Sequence, residues 1–334
     1  MLSYQDQSVL VEDVHKSYGD VHALKGISFS APAGSVLGIL GPNGAGKTTM
    51  VKVLSTLVRP TRGRAVVAGH DVVAEPAAVR RSIMMTGQFA ALDETLTGRE
   101  NLILFGRLMG LDRASARHRA DELLREFDLV DAGRRPVKGY SGGMRRRVDI
   151  ACGLVVRPEV VFLDEPTTGL DPRSRQGVWA LVSALKNQGI TVLLTTQYLE
   201  EADVLSDNII VIDKGTVIAE GTANELKAST GGSYCEIVPV EPQAVPRLVE
   251  ALGDMVPSDI RAELASPGDH DRVSIPAGDG AATLTEVLRR VEPLQIELAD
   301  IGLRRPSLDD VFLSLTGHTA SAAVSPSPAV EGAP

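Results

Sequence analysis

Hydrophobic residues in the first two thirds of the chain fall into short β-branched runs separated by longer stretches with helical spacing. SVLGIL, VVFLD, ITVLLTT and NIIVID are apolar at consecutive positions, the pattern of strands buried on both faces. Such strands alternating with helices predict an α/β domain built on a largely parallel sheet. From about Gln88 to Tyr140 the period changes. ENLILFGRLM and RADELLREFDLV carry helical spacing there, which predicts a helical subdomain inserted into the sheet domain.

After KGTVIAEGTANELKAS the composition shifts to STGGS, a linker by its small and flexible residues. Beyond it CEIVPV, RVSIP and QIELAD read as strands. Val245, Leu248, Val249 and Leu252 mark one amphipathic helix, and Leu284, Val287, Leu288 and Val291 mark a second. SLDDVFLSLTG adds a last helix, with Ser307 and Asp310 in capping-box register and Leu308, Val311, Phe312 and Leu315 on one face. The expected organisation is a nucleotide-binding domain over residues 1–230, a small α/β domain over 231–317 and a disordered tail over 318–334, rich in Ala, Ser and Pro.

Composition narrows the function. The chain of 334 residues has a net charge of −9, which argues against a broad nucleic-acid surface and hence against nucleic acid as a partner. Its two cysteines, Cys152 and Cys235, show no metal-ligand spacing, and six histidines are scattered singly, so no protein-bound zinc is expected. The start MLSYQDQSVLVED lacks a basic end and an apolar core of signal-peptide length. No run approaches the roughly 18 apolar residues of a membrane span. A cytoplasmic chain that reaches a membrane only through a partner is the resulting expectation.

The chemistry concentrates in two short runs. Gly41, Pro42, Asn43, Gly44, Ala45, Gly46, Lys47, Thr48 and Thr49 follow a strand and precede a helical run, the context of a phosphate-binding P-loop for ATP or GTP. Its glycines let successive N–H groups face an anion, and the helix that follows aims its positive end at the same point. Lys47 would bridge the β- and γ-phosphates, and the Thr48 hydroxyl would ligate Mg²⁺. In VVFLDEP, a buried strand delivers Asp164 to the metal's shell at its carboxyl end, and Glu165 is placed to act as general base.

A third run, YSGGMRRR from Tyr140 to Arg147, resembles the signature of ABC transporters, usually LSGGQ. With the P-loop, Asp164-Glu165, Gln88 and GLD, it gives the chain from about Val9 to Leu226 the look of an ATP-binding cassette. The resemblance implies a P-loop fold with an inserted helical subdomain and a head-to-tail homodimer with two ATPs between the copies. Ser141, Gly142 and Gly143 would then cradle ATP held by the partner. It further implies that Tyr18 stacks on adenine, that Gln88 touches Mg²⁺ and the lytic water, and that Asp171 senses the opposite cassette. The arginines Arg145 to Arg147 read as packing and surface pairing.

Two positions depart from the family's pattern. Met144 stands where a glutamine is usual, and Gln197 in LLTTQYLEEAD stands where a histidine usually contacts the γ-phosphate. A glutamine amide can donate to a phosphate oxygen but does not titrate near neutrality, which makes Gln197 a neutral sensor beside Glu165. Together with RRPSLDDVFLSLTG, these features resemble the daunorubicin/doxorubicin-resistance ATP-binding subfamily of actinobacteria, out to about Thr316. That resemblance implies an ATPase subunit, peripheral on the cytoplasmic face of the membrane, that energises a separate permease. Its exported cargo would be hydrophobic drugs of the anthracycline type or envelope lipids of the phthiocerol dimycocerosate type. A soluble, non-transport ABC ATPase is the alternative, and a P-loop kinase would leave the SGG run without a purpose. For the second domain, a regulatory or dimer-stabilising module and a substrate-binding module are both open.

Overall fold

The computed structural model describes residues 7–86, 92–229, 232–264 and 271–316. Gln88, part of the linker and the 318–334 tail therefore lie outside the described residues. The chain separates into two compact units, Met1–Glu225 and Leu226–Pro334.

The first unit opens with β1 (Gln7–Tyr18) and β2 (Val21–Pro32), a long hairpin, followed by β3 (Val36–Leu40) and α1 (Lys47–Leu54). Then come β4 (Arg62–Val67), β5 (His70–Asp71), α2 (Pro76–Ser82) and β6 (Ile83–Thr86). The inserted stretch holds α3 (Gly98–Leu108) and α4 (Arg113–Glu126), and α5 (Gly142–Gly153) carries the SGG run. The unit closes with β7 (Val160–Asp164), α6 (Pro172–Asn187), β8 (Thr191–Thr196), α7 (Leu199–Leu205), β9 (Asn208–Asp213) and β10 (Thr216–Gly221), and α8 (Ala223–Ser229) spans the boundary between the units.

Two sheets result. A six-stranded sheet in the order β10-β9-β3-β8-β7-β6 is parallel except for β10. SVLGIL, VVFLD, ITVLLTT and NIIVID supply its β3, β7, β8 and β9, as their unbroken apolar runs require. A second sheet, β2-β1-β4-β5, is antiparallel and does not follow from those runs. Its alternation is interrupted: the buried positions of β1 step from Val9 and Val11 to Val14, across a register shift where Asp13 has φ +49°. A bulge of this kind moves later side chains to the other parity and hides the strand's period.

Period two also sorts the side chains of the parallel sheet. Val160 and Phe162 of β7 and Leu193 of β8 join one core with Met50, Val51 and Leu54 of α1, while Val161, Leu163, Val192 and Leu194 join the other. Each fully buried side chain of this size contributes roughly 1.5–3 kcal/mol.

The inserted segment is less helical than its composition suggests. Thr97 and Glu100 form a capping box at α3, and Asp112 caps α4. The helix expected over RADELLREFDLV ends at Glu126, because Asp128 turns left-handed with φ +51°. The following residues fold back as turns, held where the buried Tyr140 hydroxyl donates to the Ala132 carbonyl at 2.7 Å.

The second unit pairs β11 (Tyr234–Pro239) with β12 (Val273–Pro276) and β13 (Leu298–Arg304), both antiparallel. Helices α9 (Val245–Leu252), α10 (Ser258–Leu264), α11 (Ala281–Val291) and α12 (Leu308–Thr316) accompany them. Cys235, Ile237, Leu248, Leu252, Val273, Ile275, Val287 and Val291 form its core. Two expectations shift and one holds. The strand placed at QIELAD starts at Leu298, after a 3-10 turn over Glu292–Leu294 and a left-handed Gln295. Leu288 and Leu315 are exposed rather than packed. Ser307 and Asp310 do form the reciprocal cap, at 2.8 and 3.2 Å.

Replacing Tyr140 by Phe removes the hydroxyl that ties this turn to α5 and leaves the Ala132 carbonyl only the Arg135 amide, at 2.9 Å. The expected cost is about 1 kcal/mol, seen as a lower urea midpoint at unchanged slope.

Candidate functional site

Three adjacent parallel strands end at one place. Leu40 of β3 pairs with Thr196 of β8, and Thr195 of β8 pairs with Asp164 of β7. The loop after β3, the Asp164-Glu165 pair and Gln197 therefore all emerge at the carboxyl edge of the sheet, where open α/β sheets place ligands.

The P-loop curls because its backbone is forced to. Gly46 caps α1 with φ +114°, and a Cβ there would lie 2.8 Å from the Ala23 carbonyl oxygen. Only glycine satisfies both conditions. Lys47 follows at the first turn of α1 and is 4 % exposed. Its ammonium donates to the carbonyls of Gly41 at 2.7 Å and Pro42 at 3.1 Å, and stands 3.4 Å from Glu165 Oε1. Burial draws the Lys47 pKa below the lysine range, and Glu165 and Asp164 oppose that shift. Ala45 is buried, whereas Asn43 and Gly44 are exposed at the lip of the loop. Thr48 and Thr49 lie part-buried on α1.

Asp164 has the same parity as Val160 and Phe162, so period two turns it toward α1. Its carboxylate Oδ1 accepts from the Thr48 hydroxyl at 3.3 Å and from the Thr195 hydroxyl at 2.6 Å. A hydroxyl and a carboxylate are hard oxygen donors of the kind that fit Mg²⁺, and Thr48 and Asp164 are the residues that would hold it. Glu165 leaves the strand with φ +47°, a strained value for a residue with a side chain, and its amide donates to both the carbonyl and the hydroxyl of Thr195.

Lys47, Thr48, Asp164 and Glu165 are thus brought together, and Gln197 stands at the end of the strand beside them. Tyr18 closes the β1–β2 hairpin, is 46 % exposed, and has one ring face covered by the Lys16 ammonium at 4.9 Å. Ser141, Gly142 and Gly143 are placed elsewhere. Ser141 caps α5, its hydroxyl accepting from the Met144 amide, and a Cβ at Gly143 would lie 2.3 Å from Ser174 Oγ of α6. A cavity of about 370 Å³ separates Gly142, Arg145 and Arg146 from the Glu165–Leu170 loop, and no P-loop residue lines it. Asp171 caps α6, accepting from the amide and hydroxyl of Ser174, whose hydroxyl holds its carboxyl below the usual range. The arginines pair locally: Arg145 with Glu94, Arg146 with Thr86 and Asp149, and Arg147 with the Phe127 carbonyl.

Two groups at this edge were given no role by the motifs, although LLTTQYLEEAD contains both. Thr195 is one. The other is Glu201 on α7, fully buried, which accepts from the Thr167 hydroxyl at 3.1 Å and the Trp179 indole at 3.2 Å. Glu201 ties the loop after Glu165 to the segment after Gln197. The Thr-Thr pair ending an apolar strand was the available signal, since two hydroxyls cost burial energy unless they have partners.

The family described as ABC transporter matches residues 24–168. The chain is 60 % identical to the doxorubicin resistance ATP-binding protein DrrA of Mycobacterium tuberculosis, over 93 % of this chain and 94 % of that one. It is 54 % identical to the daunorubicin resistance ATP-binding protein DrrA3 of Streptomyces coeruleorubidus, over 93 % and 96 %. Among solved structures, it is similar to a dimeric post-hydrolysis state of the ATP-binding cassette MJ0796 bound to ADP and Pi. That match has a TM-score of 0.59 and 28 % identity, covering 64 % of this chain and 98 % of the other.

Burial raises the Glu201 pKa above its ordinary 4.5, and its hydrogen-bond donors oppose the rise. The folded state therefore holds this proton more tightly than the unfolded state. The stability it contributes is complete below pH 4.5 and is lost as pH rises through the folded pKa. Urea unfolding between pH 4.5 and neutrality should find Glu201→Gln gaining on the parent chain as pH rises, whatever the offset between them. A difference that does not vary with pH would contradict the burial argument.

Proposed function

The chain belongs to the ATP-binding proteins of ABC transporters, and from that membership we propose that it is the ATP-hydrolysing subunit of an exporter, working beside a separate membrane permease. It is an ABC-type ATPase, similar along nearly its whole length to drug-resistance subunits. The observation that carries the reading is the convergence of Lys47, Thr48, Asp164 and Glu165 at one sheet edge.

Each residue has a role that follows from its chemistry. The Lys47 ammonium, held by two carbonyls and Glu165, is a positive charge already desolvated, and ATP phosphates offer it a stronger partner. On moving to them it releases Glu165, whose carboxylate then accepts the proton of the attacking water. Bound Mg²⁺, held by Thr48 and Asp164, supplies positive charge that offsets the charge developing on the phosphoryl oxygens. Gln197 donates its amide to the γ-phosphate, Tyr18 offers its open ring face to adenine, and Gln88 takes the Q-loop role from its sequence position alone.

Ser141, Gly142 and Gly143 begin a helix whose positive end has no phosphate of its own, because the P-loop lies on another element. A second copy, arranged head to tail, would bring its ATP to that end, with Asp171 facing the opposite site. Cleavage of the γ-phosphate then loosens the pair and drives the permease. Among the described residues no helix is long and apolar enough to cross a membrane. The subunit accordingly reaches the cytoplasmic face through its permease. Anthracycline-type drugs or complex envelope lipids are the cargo classes, and residues 231–317 serve as a regulatory module.

Glu165→Gln should lower hydrolysis by at least about a hundredfold while ATP binding persists, with a nucleotide-dependent dimer seen by light scattering. Gln197→Ala should lower hydrolysis by about tenfold, the size of one hydrogen bond to a charged oxygen. A mild Glu165→Gln defect would remove the general base, and an unchanged Gln197→Ala rate would remove the sensor. Recovery of the chain in membranes only when its permease is co-expressed checks the partnership.

A further inference from the structure

We propose that Thr195 is a positioning residue for hydrolysis, its hydroxyl orienting the Asp164 carboxylate toward the divalent cation while anchoring Glu165. The inference rests on the reading of Asp164 as a metal ligand and adds a residue to which the sequence motifs assign no role.

The sheet puts Thr195 where this is unavoidable. β7 and β8 are parallel and in register, with Asp164 directly opposite Thr195. Leu193 packs on the α1 side, and period two places Thr195 on that side as well, together with Asp164. Thr196, one residue on, points to the opposite face and takes no part.

A threonine hydroxyl has one proton and two lone pairs, and here the proton and one lone pair are used. The proton goes to Asp164 Oδ1 at 2.6 Å, and a lone pair receives the Glu165 amide at 3.0 Å. The second contact of the same carboxylate oxygen, from Thr48, is longer at 3.3 Å, so Thr195 is the tighter restraint. Asp164 is 2 % exposed and Thr195 is fully buried. Water therefore has little access to substitute for the missing donor if the hydroxyl is removed. Threonine's branched Cβ also restricts χ1, which fixes the position of its hydroxyl oxygen.

Removal of the hydroxyl should act selectively. In Thr195→Val the Glu165 amide still donates to the Thr195 main-chain carbonyl at 3.1 Å, so the left-handed turn at Glu165 keeps one of its two supports. The Asp164 carboxylate loses its short donor altogether. The defect belongs to cation binding before it belongs to folding or to nucleotide binding.

The test uses the full chain and trinitrophenyl-ATP as a fluorescent probe. Mg²⁺ is titrated against the nucleotide-bound protein, and probe affinity is measured separately in EDTA. Thr195→Val should raise the half-saturating Mg²⁺ concentration about tenfold, the lower range for loss of a group that supports a metal ligand, with EDTA affinity unchanged. Thr195→Ser should restore the Mg²⁺ response to near the parent value. An unshifted Mg²⁺ titration in Thr195→Val overturns the proposal. So does a parallel loss of EDTA affinity, or a shift that serine fails to rescue. Asp164→Asn separates the two layers. If it shifts Mg²⁺ binding and Thr195→Val does not, Thr195 alone has been misassigned; if neither shifts, the metal-ligand reading falls and the inference falls with it.

Discussion

A lysine ammonium and an aspartate carboxylate, both almost fully removed from water, must neutralise their surroundings at the edge of one sheet. Each such charge costs several kcal/mol to bury unless partners replace its water. Lys47 finds two backbone carbonyls and Glu165, and Asp164 finds two hydroxyls. These contacts exist because β3, β8 and β7 are adjacent, parallel and aligned at their carboxyl ends. Shift one strand by a single residue and every side chain on it changes face, leaving a carboxylate in an apolar core.

The same alternation divides labour between neighbouring residues. On the face of α1, Thr195 meets Asp164 and Glu165. On the other face, where α7 packs, Glu201 gathers Thr167 and Trp179. The loop that begins at Glu165 is thereby fastened at two points, at the Glu165 amide by β8 and at Thr167 by α7. A rigid frame of this sort suits a base that must stay within reach of one water molecule, because small errors of placement are costly in rate.

The SGG turn stands apart from the P-loop, and Gly143 is small because α5 and α6 pass so closely that a methyl group would collide with Ser174. Its requirement is steric before it is chemical. In the proposed function the exposed end of α5 serves a second copy's nucleotide, which gives Gly143 two separate reasons to be glycine.

By itself the sequence determined the four core strands of the parallel sheet, the P-loop, the Asp164-Glu165 pair and the SGG helix start. Those features are encoded locally, in unbroken apolar runs and in glycines at fixed offsets from polar residues. It also carried the cap at Ser307 and the faces of α9. The antiparallel sheet stayed hidden because a bulge at Asp13 breaks its period. QIELAD misled because a left-handed Gln295 delays the strand to Leu298. Thr195 and Glu201 were decided only by tertiary structure. A hydroxyl or a carboxylate has no local pattern that reveals its partner, and theirs are supplied by strand register and helix packing across 31 and 34 residues of chain.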